Sequence, residues 1–590
     1  MFTPRTSIPQ RVWILPVVAM MVAALTLPMV NASEAASPPR KILTGWIPYY
    51  GMKTALPSAV ANGDLIKEVM PFWYTLKNAT NITDLYTPAN PSVPMSTPLA
   101  TMRDSGFTII PTITDGTSKL VLAQLLAKPE TRTQVVTTIV NLVMANNFDG
   151  IDLDFEGFAF VDGTATWNGT RPGWVAFVQE LSIALHAQEK LLSITTPVLF
   201  DPASGKKGYY VYDWATIAPM IDRLRIMTYD YSTASPGSIG PLAWVELTVQ
   251  YAVTVIPASK IYIGVAGYGR DWVTKVVGIC PALYSKTIST KAKAATFLMR
   301  NAPALIASYG AKASYSEVTA EVSFTYDKVY SGATSTGLDT SCTASRKGSY
   351  QDARSYAARA KLVEKYRLGG ITAWTFGMED VAATDAVRLV AQAMAPDLVM
   401  STISVDQSGT LFGNPVIIKG EFHLPDSQPV AGLSVKLEAL TPGTTTWREI
   451  LTTVTDSDGS ILTPLILSTS SSVRLSSEGS WERLASLSAE QPIALSRRLA
   501  VSVPTSVLAN KSFAVSGTIQ PHQSGVLLEL EKKIKGTWVQ TGLSLLSDDA
   551  GRFTFSLTEN TRGLSSYRVL VGGDDKFQGA QSSIFTVVIR

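Results

Sequence analysis

Eight short β-branched or aromatic runs, most of them separated by longer amphipathic segments, recur between residues 41 and 395. They lie at 41–50, 69–76, 107–114, 148–156, 191–198, 223–231, 260–269 and 369–377. Segments 131–147, 173–190 and 350–366 carry helical spacing. In the first of these, Val135, Ile139, Leu142 and Val143 fall on one face. Eight strand–helix units predict a closed (β/α)8 barrel, the TIM barrel of the α/β class, over residues 40–397. An open doubly wound sheet is the alternative. It places a glycine-rich phosphate turn after its first strand, and "GWIPYYGMKT" does not resemble one.

The gap of about eighty residues between the seventh run and the last helix holds a helix-like segment at 291–310 and a strand-like one at 320–328, and reads as a small insertion after strand seven. Beyond residue 400 the helical periodicity fades into short alternating strands with Ser, Thr, Gly and Asp turns. An internal repeat sets 414–460 against 510–552, with Trp447 opposite Trp538. Two immunoglobulin-like β-sandwich domains are expected, at 400–497 and 498–590.

The strand-like stretch "FDGIDLDFE" (148–156) is chemically the most demanding. Side chains alternate along a strand, so Asp152, Asp154 and Glu156 share one face, while Ile151, Leu153 and Phe155 share the other. In a barrel the acids face inward, with Glu156 at the carboxyl end, where barrel enzymes carry their chemistry. Crowded carboxyls in a dry interior cannot all stay ionised cheaply. Asp152 and Asp154 are expected to share a proton, and Glu156 to keep one near neutral pH, as a general acid must. A calcium loop would need polar spacers rather than Ile, Leu and Phe. Asp149 lies one layer deeper and reads as structural.

A net charge of +3 on 590 residues, with no basic run interleaved with aromatics, argues against nucleic-acid binding. His186, His423 and His522 are far apart, so neither a metal nor any other cofactor is expected. Arg5, Arg11, the apolar run 12–30 and "VNA" (30–32) read as a secretory signal over 1–32, with a retained anchor as the alternative. No second run is long enough to span a membrane. Cys280 and Cys342, the sole cysteines, form a possible disulfide in an exported chain; two buried thiols are the other reading.

These residues resemble a known family. "FDGIDLDFE" is similar to the DGxDxDxE signature of glycoside hydrolase family 18, the chitinases and related N-acetylglucosaminidases. "RIMTYDY" (225–231) resembles that family's MxYD, "GGITAWTFG" (369–377) its last strand, and "GWIPYY" (45–50) its first. Two departures stand out: "PTITDGT" (111–117) replaces the usual SxGG, and Phe155 replaces the usual Trp. "GVAGYGRDW" (264–272) and the segment 349–377 resemble the branch holding bacterial spore-cortex-lytic glucosaminidases, without their LysM repeats.

The resemblance implies a secreted or envelope-associated, retaining glycosidase, a monomer acting on an N-acetylglucosamine-containing polysaccharide, chitin or peptidoglycan. It implies substrate-assisted catalysis by Glu156, Asp154, Asp152 and Tyr229. Trp374, Asp230, Met227, Tyr49 and Tyr268 would contact the sugar; Tyr50, Trp73 and Arg270 also end candidate strands. The competing readings are a catalytically silent carbohydrate-binding protein on the same fold and an envelope adhesion protein acting through its β-domains.

Overall fold

The computed structural model describes residues 38–590, so the leader expected over 1–32 lies outside the described residues. Eight parallel strands close on themselves: β1 (Leu43–Pro48), β2 (Ile66–Asn78), β3 (Thr112–Asp115), β4 (Gly150–Asp154), β5 (Leu191–Thr196), β6 (Arg223–Ile226), β7 (Ile261–Ala266) and β8 (Gly370–Trp374). Each pairs with the next, and β8 returns to β1. Every one of the eight runs supplies a barrel strand, so the fold is the TIM barrel.

Two runs are shorter as strands than as sequence. Run 107–114 is interrupted between Thr108–Ile109 and Thr112–Asp115, because Pro111 has no N–H to give to the ladder. β6 stops at Ile226, and Asp230 takes a left-handed φ of 61°, turning the chain away above the barrel. The outward face of β4 is dry: Ile151, Leu153 and Phe155 are fully buried. Phe155 lies 6.1 Å from Phe177 on the helix Trp167–His186, whose Trp174, Phe177, Val178 and Leu181 repeat at helical spacing. Each such buried side chain contributes about 1.5–3 kcal/mol.

After β7 the chain enters a five-stranded antiparallel sheet, ordered Ala295–Leu298, Tyr268–Gly278, Asp339–Tyr350, Glu321–Ala333, Ser314–Ser316. The helix expected over 291–310 is confined to Ala302–Ser308. Its first half is instead an edge strand paired with Tyr268–Asp271, and Pro303 sits in the first turn, where a missing N–H is harmless. A disulfide joins Cys280 to Cys342, with Cα atoms 4.7 Å apart.

The region after residue 400 is all β: a three-stranded and a six-stranded sheet around one apolar cluster, then the same pair of sheets around a second. The repeat extends to side chains. Trp447 lies 4.0 Å below Arg474, which is held by Glu438; Trp538 lies 4.6 Å below Arg568, which is held by Glu531. Both indoles are therefore covered by a cation. Trp481 packs on the barrel instead, with Arg40 stacked on its ring at 4.0 Å. Among the described residues no helix is long and apolar enough to cross a membrane.

Candidate active site

The carboxyls of β4 climb through the barrel interior. Asp152 is fully buried, and each of its oxygens is occupied: Thr112 Oγ1 donates at 2.8 Å, Ser193 Oγ at 2.6 Å, and Thr195 Oγ1 reaches both oxygens at 3.0 Å. Thr112 in turn accepts from the Trp46 indole at 3.1 Å. Arg225 Nε lies 3.9 Å from Asp152, while Arg225 Nη2 pairs with Glu68 at 2.7 Å. These groups form a polar floor below the site.

Asp154, one layer higher, is differently placed. Its Oδ1 is buried without a hydrogen-bond partner, and its carboxyl is within hydrogen-bonding reach of Glu156. Burial, then the charges of Glu156 and Asp152, push the Asp154 carboxyl well above the usual carboxylate range. Burial also raises Glu156; the hydrogen bond with Asp154 works against that rise and the charge of Asp230 adds to it. Asp154 thus couples upward to Glu156, because the hydroxyls of β3 and β5 have taken both oxygens of Asp152.

Glu156 stands just past the carboxyl end of β4, before a single π-helical turn, Gly157–Val161. Gly157 lets the Asp115 carboxylate come close: a Cβ there would lie 2.0 Å from Asp115 Oδ2 and would push that side chain aside. Tyr229 is set by a second close approach, since a Cβ on Gly264 would meet its ring at 2.7 Å. Burial, with Tyr268 and the acids nearby, holds the Tyr229 phenol far above its ordinary value, so it remains a proton donor. Asp230 bonds Tyr268 and receives Arg270 at 2.6 Å.

Two cavities meet at Asp230. One, of 480 Å³, is lined by Glu156, Met227 and Tyr229, with walls from Phe160, Tyr209 and Trp244. The other, of 490 Å³, is lined by Tyr268, Arg270, Trp374 and Met378. Trp374 is braced edge-on by Trp46 at 5.5 Å and Phe72 at 5.0 Å. The structure thus assembles Glu156, Met227, Tyr229, Asp230, Tyr268 and Trp374 around one mouth, with Asp154 and then Asp152 buried beneath it. Tyr49 lines neither cavity; it packs on Tyr50 at 5.1 Å. Trp73 is buried outside the mouth, against Tyr86 at 4.5 Å.

Buried carboxyls raised above their ordinary range, at the carboxyl end of a closed barrel and beside two adjoining cavities, have the make-up of an acid–base site. The model of the family "Glycosyl hydrolases family 18" matches residues 69–379 of this chain. The chain belongs to that family. The family 18 chain is 27% identical over 281 residues to YdhD of Bacillus subtilis (strain 168), which carries the name of a sporulation-specific glycosylase; the match covers 47% of this chain and 57% of YdhD. It is 28% identical over 156 residues to the Cortical fragment-lytic enzyme of the same organism, covering 26% and 34% of the two chains. The chain therefore spans less than two thirds of either relative. A crystal structure of a chitinase from Chromobacterium violaceum aligns at a TM-score of 0.47 and 24% identity, over 59% of this chain and 98% of that one.

The polar floor was missed in the sequence, although a signal was there. Ser193 and Thr195 alternate in an apolar strand, and Arg225 shares its parity with Met227 and Tyr229; that Thr112 stands opposite Asp152 is set by strand register and shows only in the fold. Phe160, Tyr209 and Trp244 lie beyond the ends of the barrel strands, where no periodicity marks them.

Proposed function

We propose that this family 18 chain is a secreted, retaining glycosidase that cleaves β-1,4-linked N-acetylglucosamine glycans with help from the substrate's own acetamide. The supporting observation is the Asp154 oxygen buried without a partner beside a protonatable Glu156, under a phenol that stays a donor. In this reading Glu156 protonates the glycosidic oxygen as the acetamide carbonyl oxygen attacks C1. Tyr229 donates to that carbonyl oxygen and holds it in line. The acetamide N–H donates to the free oxygen of Asp154. Asp154 and Glu156 share one proton across their hydrogen bond, and it leaves through Glu156 to the glycosidic oxygen, so Asp154 is a carboxylate as the cyclic oxazolinium ion forms and its negative charge stabilises that ion. Glu156, now a carboxylate, takes a proton from the water that opens the ring at C1, and configuration is retained. Asp152 anchors the row from below. Trp374 forms the apolar floor against a sugar face, beside Met227 and Asp230.

The disulfide between Cys280 and Cys342 supports an oxidising destination, secreted or in the envelope. One relative is named for lysis of cortical fragments, which fits peptidoglycan, and the family resemblance leaves chitin as the other polymer.

The test uses N-acetylglucosamine oligomers. Glu156→Gln is expected to lower kcat by about 10²–10⁴-fold. Proton NMR should show the β-anomer as the first product. Unchanged turnover in the variant, or initial α-product, overturns the reading.

A further inference from the structure

The largest cavity described here, 740 Å³, lies in the inserted sheet rather than at the barrel mouth. Its floor is one face of the sheet: Tyr326, Lys328 and Tyr330 alternate along one strand, and Arg346 pairs opposite Tyr326 on the next. Its cover comes from the segment after Cys280, which the disulfide fastens onto the sheet at Cys342. Tyr309 stacks on Tyr326 at 4.4 Å at its rim.

The charge in this cavity is one-sided. Asp271 is the lone acid in the lining; Arg346 at 2.9 Å neutralises it, and the Tyr326 hydroxyl donates to it at 2.5 Å. Lys286, Lys293 and Lys328 also line it, and none has a carboxylate partner among the described residues; Lys328 rests 5.1 Å from the Tyr330 ring. Three ammonium groups without carboxylate partners, in a cavity that tyrosine rings also line, are a poor surface for neutral glycan, which offers no charge to pair with them. They suit a ligand with flat apolar ring faces and carboxylates. The edge strand Ala295–Leu298 divides this cavity from the cleft, and Thr296 and Phe297 line both.

We propose that this cavity is a second saccharide site, which takes a glycan bearing carboxylates and so directs the enzyme to an acidic polymer rather than to neutral chitin. The identity of the sugar rests on the hydrolase reading; the preference for negative charge does not. The carboxylate belongs either to an acidic ether on the sugar or to a peptide branch.

Calorimetric titration of the full chain decides it, with four probes: the disaccharide of N-acetylglucosamine and N-acetylmuramic acid, its methyl ester, the same disaccharide carrying a peptide stem on the acid, and diacetylchitobiose. The free acid or the stem-bearing form should bind at least about tenfold tighter than the ester and chitobiose, and the tighter of the two names the source of the carboxylate. The preference should vanish in the triple variant Lys286→Gln, Lys293→Gln, Lys328→Gln and weaken in about 0.5 M salt. These are surface changes, and an unchanged melting temperature with the disulfide intact shows the fold is kept. Equal binding of all four probes, or a preference that survives the triple variant, overturns the proposal. Hydrolysis of a chitin hexamer by both proteins runs alongside. Hydrolysis of the tetrasaccharide of alternating N-acetylglucosamine and N-acetylmuramic acid is followed beside that of the hexamer. A charge preference without cleavage of either glycan removes the hydrolase reading and leaves this one; cleavage without a preference does the reverse.

Discussion

Glu156 owes its protonation to position more than to neighbours. Burial raises it first, the bond with Asp154 opposes that, and the charge of Asp230 adds to the rise. A general acid must be protonated in the free enzyme, so kcat/KM should fall as pH climbs through a value above the usual glutamate pKa of about 4.3. Removing the Asp230 charge removes one contribution that favours the proton, and it leaves Arg270 uncompensated nearby. Asp230→Asn should therefore move the alkaline limb of the kcat/KM profile to lower pH. A limb that stays in place or moves upward would show that Asp230 does not act on Glu156 through charge. The carboxyl row itself was legible from strand parity. Its coupling was not, because that depends on which hydroxyls of β3 and β5 reach Asp152, a matter of register between strands far apart in sequence.

At the scale of the element, β4 is a strand that gives up stability for chemistry. Asp154 and Glu156 both titrate above their ordinary range in the folded protein. The folded state therefore holds protons that the unfolded chain releases. The stability tied to them is complete below about pH 4 and is lost as pH rises through the folded values. Asparagine at position 154 cannot ionise, so Asp154→Asn removes that loss. Its melting temperature relative to wild type should rise steadily from acid to neutral pH, while kcat collapses at every pH. A difference that is flat with pH would mean that Asp154 is not strained by its surroundings. Parity made the inner and outer faces of β4 readable in advance. The inserted strand Ala295–Leu298 was not readable, since its pairing with Tyr268–Asp271 overrides a segment with helical composition.

At the scale of the whole molecule, the β region meets the barrel at the end opposite its chemistry. Arg40 precedes β1 and Arg367 precedes β8, so both lie at the amino ends of strands, whereas Glu156 and Trp374 lie at carboxyl ends. Arg40 stacks on Trp481 and donates to its carbonyl oxygen and to that of Met394. Arg367 pairs with Glu482 at 2.7 Å, and the Asp397 backbone bonds those of Glu482 and Leu484. The alternating strands and the repeat foretold the all-β texture of this region, but not this docking, which hangs on one indole in a loop. The aligned indoles Trp447 and Trp538 are capped by arginines and are poorly placed as sugar platforms. No residue of the tail lines either cavity of the cleft. Trp481→Ala should cost about 1–3 kcal/mol at the junction. It should split the calorimetric unfolding into separate barrel and tail transitions, while kcat on a soluble N-acetylglucosamine oligomer stays within about twofold of wild type, because junction and cleft share no partners. A large fall in kcat with unfolding still in one step would mean instead that the tail shapes the cleft from across the barrel.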